Sequence, residues 1–392
     1  MGTVSVLVLG LAIAVLVLLW CLWRWWPARR HRAPVPAPSD AAAFQEHILK
    51  LVSRSFALTI PLLPREVRCA VGNAYLLCRI ADTIEDDAAL SAADKRHYEQ
   101  ALIEVVEGRA PAAALAAEIG PRLSQETPEA ERVLMLRLPD VIAVYDTLRP
   151  ASRQAMARCI RIMGEGMHHF QQQAGPAGLA TLKEMERYCY HVAGVVGEML
   201  TELFCDYDPA IATRRGELQQ LELRFGLGLQ MTNILKDQWE DRERGICWLP
   251  RDVYARHGVT AAALAQGSDT PAWRAAQAEM IGLTHACLRD AQAYSLLIPA
   301  QQRGIRRFCL WAIGLALVTL RNLARKPDFR SAEQVKVSRP VLVATVLLIN
   351  LATRSDRLLK LLFKLLGWGL PLSRGDWAGR STNAPASSPG TP

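Results

Sequence analysis

Two short acidic clusters in this chain place oxygen-bearing side chains where a helix would gather them. One runs Asp82-Thr83-Ile84-Glu85-Asp86; the other runs Asn233-Ile234-Leu235-Lys236-Asp237-Gln238-Trp239-Glu240-Asp241. Asp82, Glu85 and Asp86 stand three and four residues apart, and Asn233, Asp237 and Asp241 follow at steps of four. On a helix each set therefore shares one face. Two like charges about 4 Å apart repel by roughly 4 kcal/mol at an effective dielectric of about 20. Two such faces turned toward each other need a cation between them. Oxygen-only ligands suit a hard cation, and magnesium typically takes one or two carboxylates and completes its shell with water and substrate phosphate. The pair reads as a magnesium–diphosphate site with Asp82, Glu85, Asp86, Asn233, Asp237 and Asp241 as metal ligands. Taken alone, the first cluster also fits a solvated helix face, with Arg79 as the exposed partner of Asp82.

The surrounding sequence is helix after helix. No β-alternating segment, internal repeat or Gly-rich phosphate loop is found, and the fold class expected is all-α. Pro64, at a helix start, leads into a run reaching Asp86, in which Tyr75, Arg79, Asp82 and Asp86 share a face. A guanidinium at Arg79 would bind two diphosphate oxygens at once. Gln230 shares the face of Asn233, Asp237 and Asp241, with Glu240 beside it. Arg242 to Gly245 reads either as a polar loop folding over the site or as plain surface. Tyr188, Val192, Val195 and Met199 form another helical face, with Gly194 and Gly197 next to it. Glycine inside a helix costs about 1 kcal/mol relative to alanine, so these two need a reason: close helix packing, or close approach of a prenyl chain. Tyr188 by itself also fits a core residue, and Ser53 or Ser55 an ordinary helix cap.

Ser53-Arg54-Ser55-Phe56, Tyr75 through Asp87, Tyr188-Cys189-Tyr190-His191-Val192-Ala193-Gly194, Gln230 through Pro250, Phe308 to Leu320 and Val335-Lys336-Val337 stand in this order along the chain. Together they resemble the squalene/phytoene synthase family, all-α enzymes that join two isoprenoid diphosphates head to head. The resemblance implies a single-domain, isoprenoid-synthase-type helical bundle around a central cavity, with magnesium bridging two acidic helices to the substrate. It implies catalytic roles for Asp82, Asp86, Asp237, Asp241 and Tyr188, the last as proton acceptor or relay. Arg54, Arg79, Lys236 and Lys336 would be cofactor-binding: Arg54 at the pocket mouth with Ser53 and Phe56, Arg79 and Lys236 toward phosphate, and Lys336 toward the nucleotide NADPH. Ser53, Phe56, Tyr75, Gln230 and Phe308 would bind substrate, Phe308 at the deep end. Two positions depart from the family pattern. Lys236 stands where Arg is often found, keeping the charge without the fork, and Ser338 also replaces a frequent Arg, with Arg339 next to it.

The Tyr-Cys-x-x-Val-Ala-Gly segment, Phe308-Cys309 and the Val-Lys-Val piece look most like the squalene-forming branch. The implied reaction condenses two farnesyl diphosphates to presqualene diphosphate, which is then ionised and reduced with NADPH to squalene. A non-reductive route to dehydrosqualene or phytoene is the near alternative. A cyclising terpene synthase is a further one, and a catalytically inactive, membrane-tethered prenyl-lipid-binding protein is the alternative of another class.

With 392 residues, 51% of them apolar, the chain has ample material for a large core. A net charge of +8 without an aromatic-interleaved basic stripe or zinc-finger spacing suits a membrane surface better than nucleic acid, and no nucleic-acid partner is expected. The nine cysteines occur without CxxC pairs and read as reduced, buried and cytosol-facing. Val4 to Trp23, twenty residues, is long and apolar enough to cross a bilayer core of about 30 Å. Arg24, Arg29, Arg30 and Arg32 follow, which predicts a single-pass N-terminal anchor with the catalytic domain in the cytoplasm. The expected organisation is an anchor over 1–26, a Pro-rich basic linker over 27–42, a catalytic domain over 43–352, a basic amphipathic membrane-associated segment over 353–372, and a disordered tail over 373–392. Oligomeric state is left open, a monomer being allowed.

Overall fold

The structure is a computed structural model that describes residues 40–53, 56–173 and 175–373. The expected anchor, most of the linker, Arg54, Ser55 and nearly all of the tail lie outside the described residues. Within them the chain is all-α, with one isolated bridge from Leu179 to Pro250 and no strand. Eleven helices matter for the site: α1 (Ala41–Val52), α2 (Arg65–Asp86), α3 (Ala92–Val106), α4 (Pro150–Gln173), α5 (Leu182–Cys189), α6 (Val195–Tyr207), α7 (Glu222–Glu243), α8 (Pro271–Leu297), α9 (Arg303–Arg325), α10 (Arg339–Ala352) and α11 (Asp356–Leu366).

Local sequence sets the helix ends. Pro64 caps α2 and accepts from the Arg68 N–H at 2.7 Å. Asp87 stops the helix: its carboxylate accepts from the backbone of Ala89 and Ser124 and from the Thr127 hydroxyl. Ser91 and Asp94 form a capping box on α3. Thr270 caps α8, whose first residue is Pro271.

At the centre lies α7, packed against α6, α8 and α9. It buries Phe225, Leu227, Met231, Ile234 and Leu235 around much of its circumference, as a helix inside a bundle must. α2 packs on α4 and α6 and buries Leu76, Leu77, Ile80 and Ile84. Between α5 and α6, Tyr190–Gly194 makes one wider, π-type turn that lies against both α4 and α7. Such turns recur at functional sites.

Of the described helices, α9 alone is long and apolar enough to cross a membrane, and 61% of its apolar window is buried inside the bundle. It is a core helix here. α11 also joins the bundle, burying Leu359 and Phe363. Residues 353–372 thus continue the helical body rather than hanging free of it. The eight described cysteines are all free, six of them buried.

Candidate active site

Packing α2 and α7 on their apolar faces turns their carboxylates toward each other. The two helices border a cleft of about 620 Å³. Asp82, Glu85 and Asp86 line it from α2, and Gln230, Asn233, Asp237, Glu240 and Asp241 from α7. Tyr188 and Val192 close one wall, and Met167, Ile246 and Trp248 supply apolar surface.

Crowding is visible in the electrostatics. Asp82 is pushed up to about 6, by burial first and then by Asp86 and Glu131, against the pull of Arg79 at 3.8 Å. Glu85 is pushed up to about 8 by burial and by the charges of Asp82, Asp86 and Glu99, with Lys95 opposing. The Lys95 ammonium donates to the Glu85 carbonyl oxygen. Asp237 and Asp241 are also raised by burial, but each has a cation in contact. Lys236 sits 3.1 Å from Asp237 and Arg244 2.5 Å from Asp241. Arg244 also lies 4.0 Å from Asp86, so its guanidinium spans the two helices.

A divalent cation fits this donor set. Every candidate ligand is oxygen, the donors come from both sides, and the raised carboxyls are what a bound cation would relieve. Among the described residues no three His, Cys, Asp or Glu side chains stand close enough together to hold a metal ion by themselves, so an ion here would need water and substrate phosphate to complete its shell.

Tyr188 is buried, stacked on Trp248 at 4.0 Å and 6° and edge-on to Phe170 at 5.4 Å. Burial, and next the charge of Glu85, holds its phenol well above the ordinary range, hence protonated. The neighbouring glycines serve packing. A Cβ on Gly197 would fall 2.3 Å from the Glu222 carbonyl oxygen, and one on Gly194 2.5 Å from Leu223. On the facing helix, one on Gly226 would fall 2.2 Å from the Ala193 carbonyl oxygen. Close packing on α7 accounts for all three: the Leu223 side chain against Gly194 in the π-type turn, the Glu222 backbone against Gly197 in α6, and the backbone of the turn itself against Gly226.

Other expected site residues lie apart from the cleft lining. Phe56, Tyr75 and Phe308 form an aromatic cluster of their own, with ring centroids 5.6 and 6.3 Å from Phe56. Tyr75 donates to the Val52 carbonyl oxygen and accepts from Arg79, each at 3.2 Å. Arg79 thereby links this cluster to Asp82. Ser53 is buried and caps the next short helix, accepting from the Ala57 N–H at 2.8 Å. Lys336 is exposed, pairs with Glu333 at 2.8 Å and lines neither large cavity. Lys95 and Trp248 are cleft residues that the sequence did not single out, while Arg244 belongs to the stretch from Arg242 to Gly245 read either as a loop over the site or as plain surface, and it lines the cleft.

The family model for squalene/phytoene synthase matches residues 49–341. The squalene synthase of Schizosaccharomyces pombe is 29% identical over 323 residues, 80% of this chain and 66% of that protein. The squalene synthase of Botryococcus braunii is 31% identical over 288 residues, 71% of this chain and 57% of that protein. The chain thus spans between half and two thirds of the length of these relatives. Among solved structures, a complex of TcSQS with a ligand superposes with a TM-score of 0.66 at 23% identity, covering 84% of this chain and 90% of that one. A dehydrosqualene synthase–ligand complex superposes with a TM-score of 0.57, also at 23% identity, covering 78% and 94%. At such identities the likeness is one of fold.

Proposed function

The chain belongs to the squalene/phytoene synthase family, and from that premise we propose that it condenses two farnesyl diphosphates head to head through presqualene diphosphate and, with NADPH, yields squalene. The observation that carries the proposal is the convergence of two carboxylate helices and a protonated, buried tyrosine on one cleft.

Asp82, Glu85 and Asp86 on one side and Asn233, Asp237 and Asp241 on the other would hold magnesium. Once bound, that metal supplies the positive charge that draws pyrophosphate from an allylic carbon. Arg79, Lys236 and Arg244 would bind diphosphate oxygens, Arg244 by leaving the carboxylates it bridges. Met167, Val192 and Ile246 keep water from an allylic cation, while the stacked Tyr188 and Trp248 offer it aromatic faces. Held neutral, Tyr188 cannot act as a standing phenolate base. It passes a proton onward to a carboxylate or to released pyrophosphate, and it orients the chain. The reductive half rests on the family position of Lys336.

Incubating the protein with farnesyl or geranylgeranyl diphosphate, magnesium and detergent, with and without NADPH, tests the proposal. Squalene formed only with NADPH supports it. Dehydrosqualene or phytoene would move the chain to the non-reductive branch, and no product at all would favour the prenyl-lipid-binding reading. The same proposal places the bundle at the cytoplasmic face of a membrane, tethered through Val4–Trp23. Removal of that segment is expected to release the protein from alkali-washed membranes into a form extracted by salt.

A further inference from the structure

Of the eleven large apolar side chains exposed among the described residues, eight lie between Val341 and Leu372. Leu358, Leu361, Leu365 and Trp368 follow at steps of three and four along α11 and just past its end, which places them on one strip. Val341, Leu348 and Leu351 continue the exposed apolar surface onto α10. The opposite side of α11 is fixed to the bundle through Leu359 and Phe363. Two polar ties hold it: buried Arg306 reaches Asp356 at 2.7 Å, and His285 hydrogen-bonds the Pro371 carbonyl oxygen at 2.9 Å. The strip is therefore held in place by the fold.

Beside it lies a cavity of about 980 Å³ bordered by α7, α8 and α11, with Arg224, Arg289, Lys360, Lys364 and the single carboxylate of Asp290 on its walls and Phe363, Trp368 and Leu372 as apolar surface. Among the described residues Lys360, Lys364, Arg354 and Arg357 form no salt bridge, whereas Arg289 shares its wall with Asp290, whose carboxylate already pairs with Arg224 at 3.4 Å. The one acid of the stretch, Asp356, is taken by Arg306. A second copy of this chain would set the same unpaired cations against themselves. An anionic bilayer complements both features at once: leucines for the acyl boundary, Trp368 for the interface, and lysines for headgroup phosphate.

We propose that α10 and α11 form an in-plane docking face for an anionic lipid bilayer, with the adjoining cavity receiving a lipid headgroup phosphate against Arg289, Lys360 and Lys364. This contact is separate from any tether in the N-terminal segment, so the test reads α11 alone. In the full chain, a spin label on Leu361→Cys is reconstituted into nanodiscs of phosphatidylcholine, with or without phosphatidylglycerol. Gln100→Cys, exposed on α3, serves as the aqueous control. With phosphatidylglycerol the Leu361 label gains oxygen contact and loses contact with a water-soluble nickel complex, while the Gln100 label does not change. Added salt, or Lys360→Glu combined with Lys364→Glu, reverses the shift without altering circular dichroism. A label that stays in water in every disc overturns the proposal. So does equal insertion into neutral lipid, which would leave the headgroup site without a role. Dipolar broadening between labels without oxygen contact overturns it in favour of self-association.

Discussion

On α2, Asp82, Glu85 and Asp86 stand at the same spacing as Asp237, Glu240 and Asp241 on α7, yet the two sets live in different fields. The α7 aspartates each touch a cation of their own chain, Lys236 or Arg244. The α2 set has Arg79 at the edge of contact and Lys95 turned to a backbone oxygen, and its carboxyls are pushed up to about 6 and about 8. One half of the cleft is thus largely paired from within, while the other is crowded enough that its carboxyls are relieved by holding protons or by an added cation. Of the two sets, α2 is the one that most needs the metal.

The largest test of that asymmetry is Asp82→Asn. Losing a ligand from the uncompensated side is expected to lower kcat/KM by on the order of 10²- to 10³-fold, as removal of a preorganised charge partner commonly does. Circular dichroism and melting temperature in chelator should stay unchanged or rise, because a repulsion has been removed. A fall in both stability and activity would make Asp82 a structural residue and erase the contrast.

Arg244→Gln probes the opposite side and should split two affinities. Without substrate, Asp241 and Asp86 are freed for magnesium, so metal binding by calorimetry tightens, on the order of tenfold for a lost competitor worth about 1.4 kcal/mol. Diphosphate binding weakens by a similar factor, because the guanidinium is absent when the anion arrives. Weakening of both would show that Arg244 only braces the cleft.

A smaller effect is read in pH. Asp82 and Glu85 have folded values above the ordinary carboxylate range, so the folded state binds more protons than the unfolded chain between about 4 and about 8. Their contribution is present at low pH and is lost as pH rises through the folded values. In chelator, the melting temperature should therefore fall across that window. Magnesium should flatten the fall, and its apparent affinity should climb until about pH 8. A chelated protein that gained stability over the same interval would contradict the assignment.

What could be read without coordinates follows a physical divide. Asp82, Glu85, Asp86, Asn233, Asp237 and Asp241 were legible because helical spacing alone sets a shared face, and the packing of apolar faces then aims it. Arg244 was legible only as one of two alternatives, loop over the site or plain surface, since it caps α7 where the helical period no longer fixes direction. Trp248 meets Tyr188 only through tertiary packing, and local spacing carries no trace of that stack. Gly194 and Gly197 announced that they needed a reason, but both packing and ligand contact produce the same composition. The close approach of the Leu223 side chain to Gly194 and of the Glu222 backbone to Gly197 decides for packing. The π-type turn between α5 and α6 was invisible because one widened turn leaves the apolar pattern intact. Phe308 was expected at the deep end of one pocket. Its ring packs between Phe56 and Phe204, a cluster tied to the acids through Tyr75 and Arg79.

The smallest predicted effect sets the two glutamates against each other. Glu85 and Glu240 occupy the same place in their sets and both line the cleft. Glu240 spends one oxygen on the Ala332 N–H at 2.7 Å, anchoring the segment that leads to Lys336. Its other oxygen is buried without a partner. Glu240→Gln keeps an amide oxygen for Ala332 and removes the charge, so stability should change by no more than about 1 kcal/mol, the scale of one hydrogen bond. Magnesium affinity should move less than threefold, about 0.6 kcal/mol or less. Glu85→Gln removes a carboxylate crowded by Asp82 and Asp86. It should weaken magnesium more, while raising the melting temperature of the chelated protein at alkaline pH. If Glu240→Gln proved the more damaging for metal, α7 rather than α2 would be the uncompensated side, and the contrast between the two helices would have to be reversed.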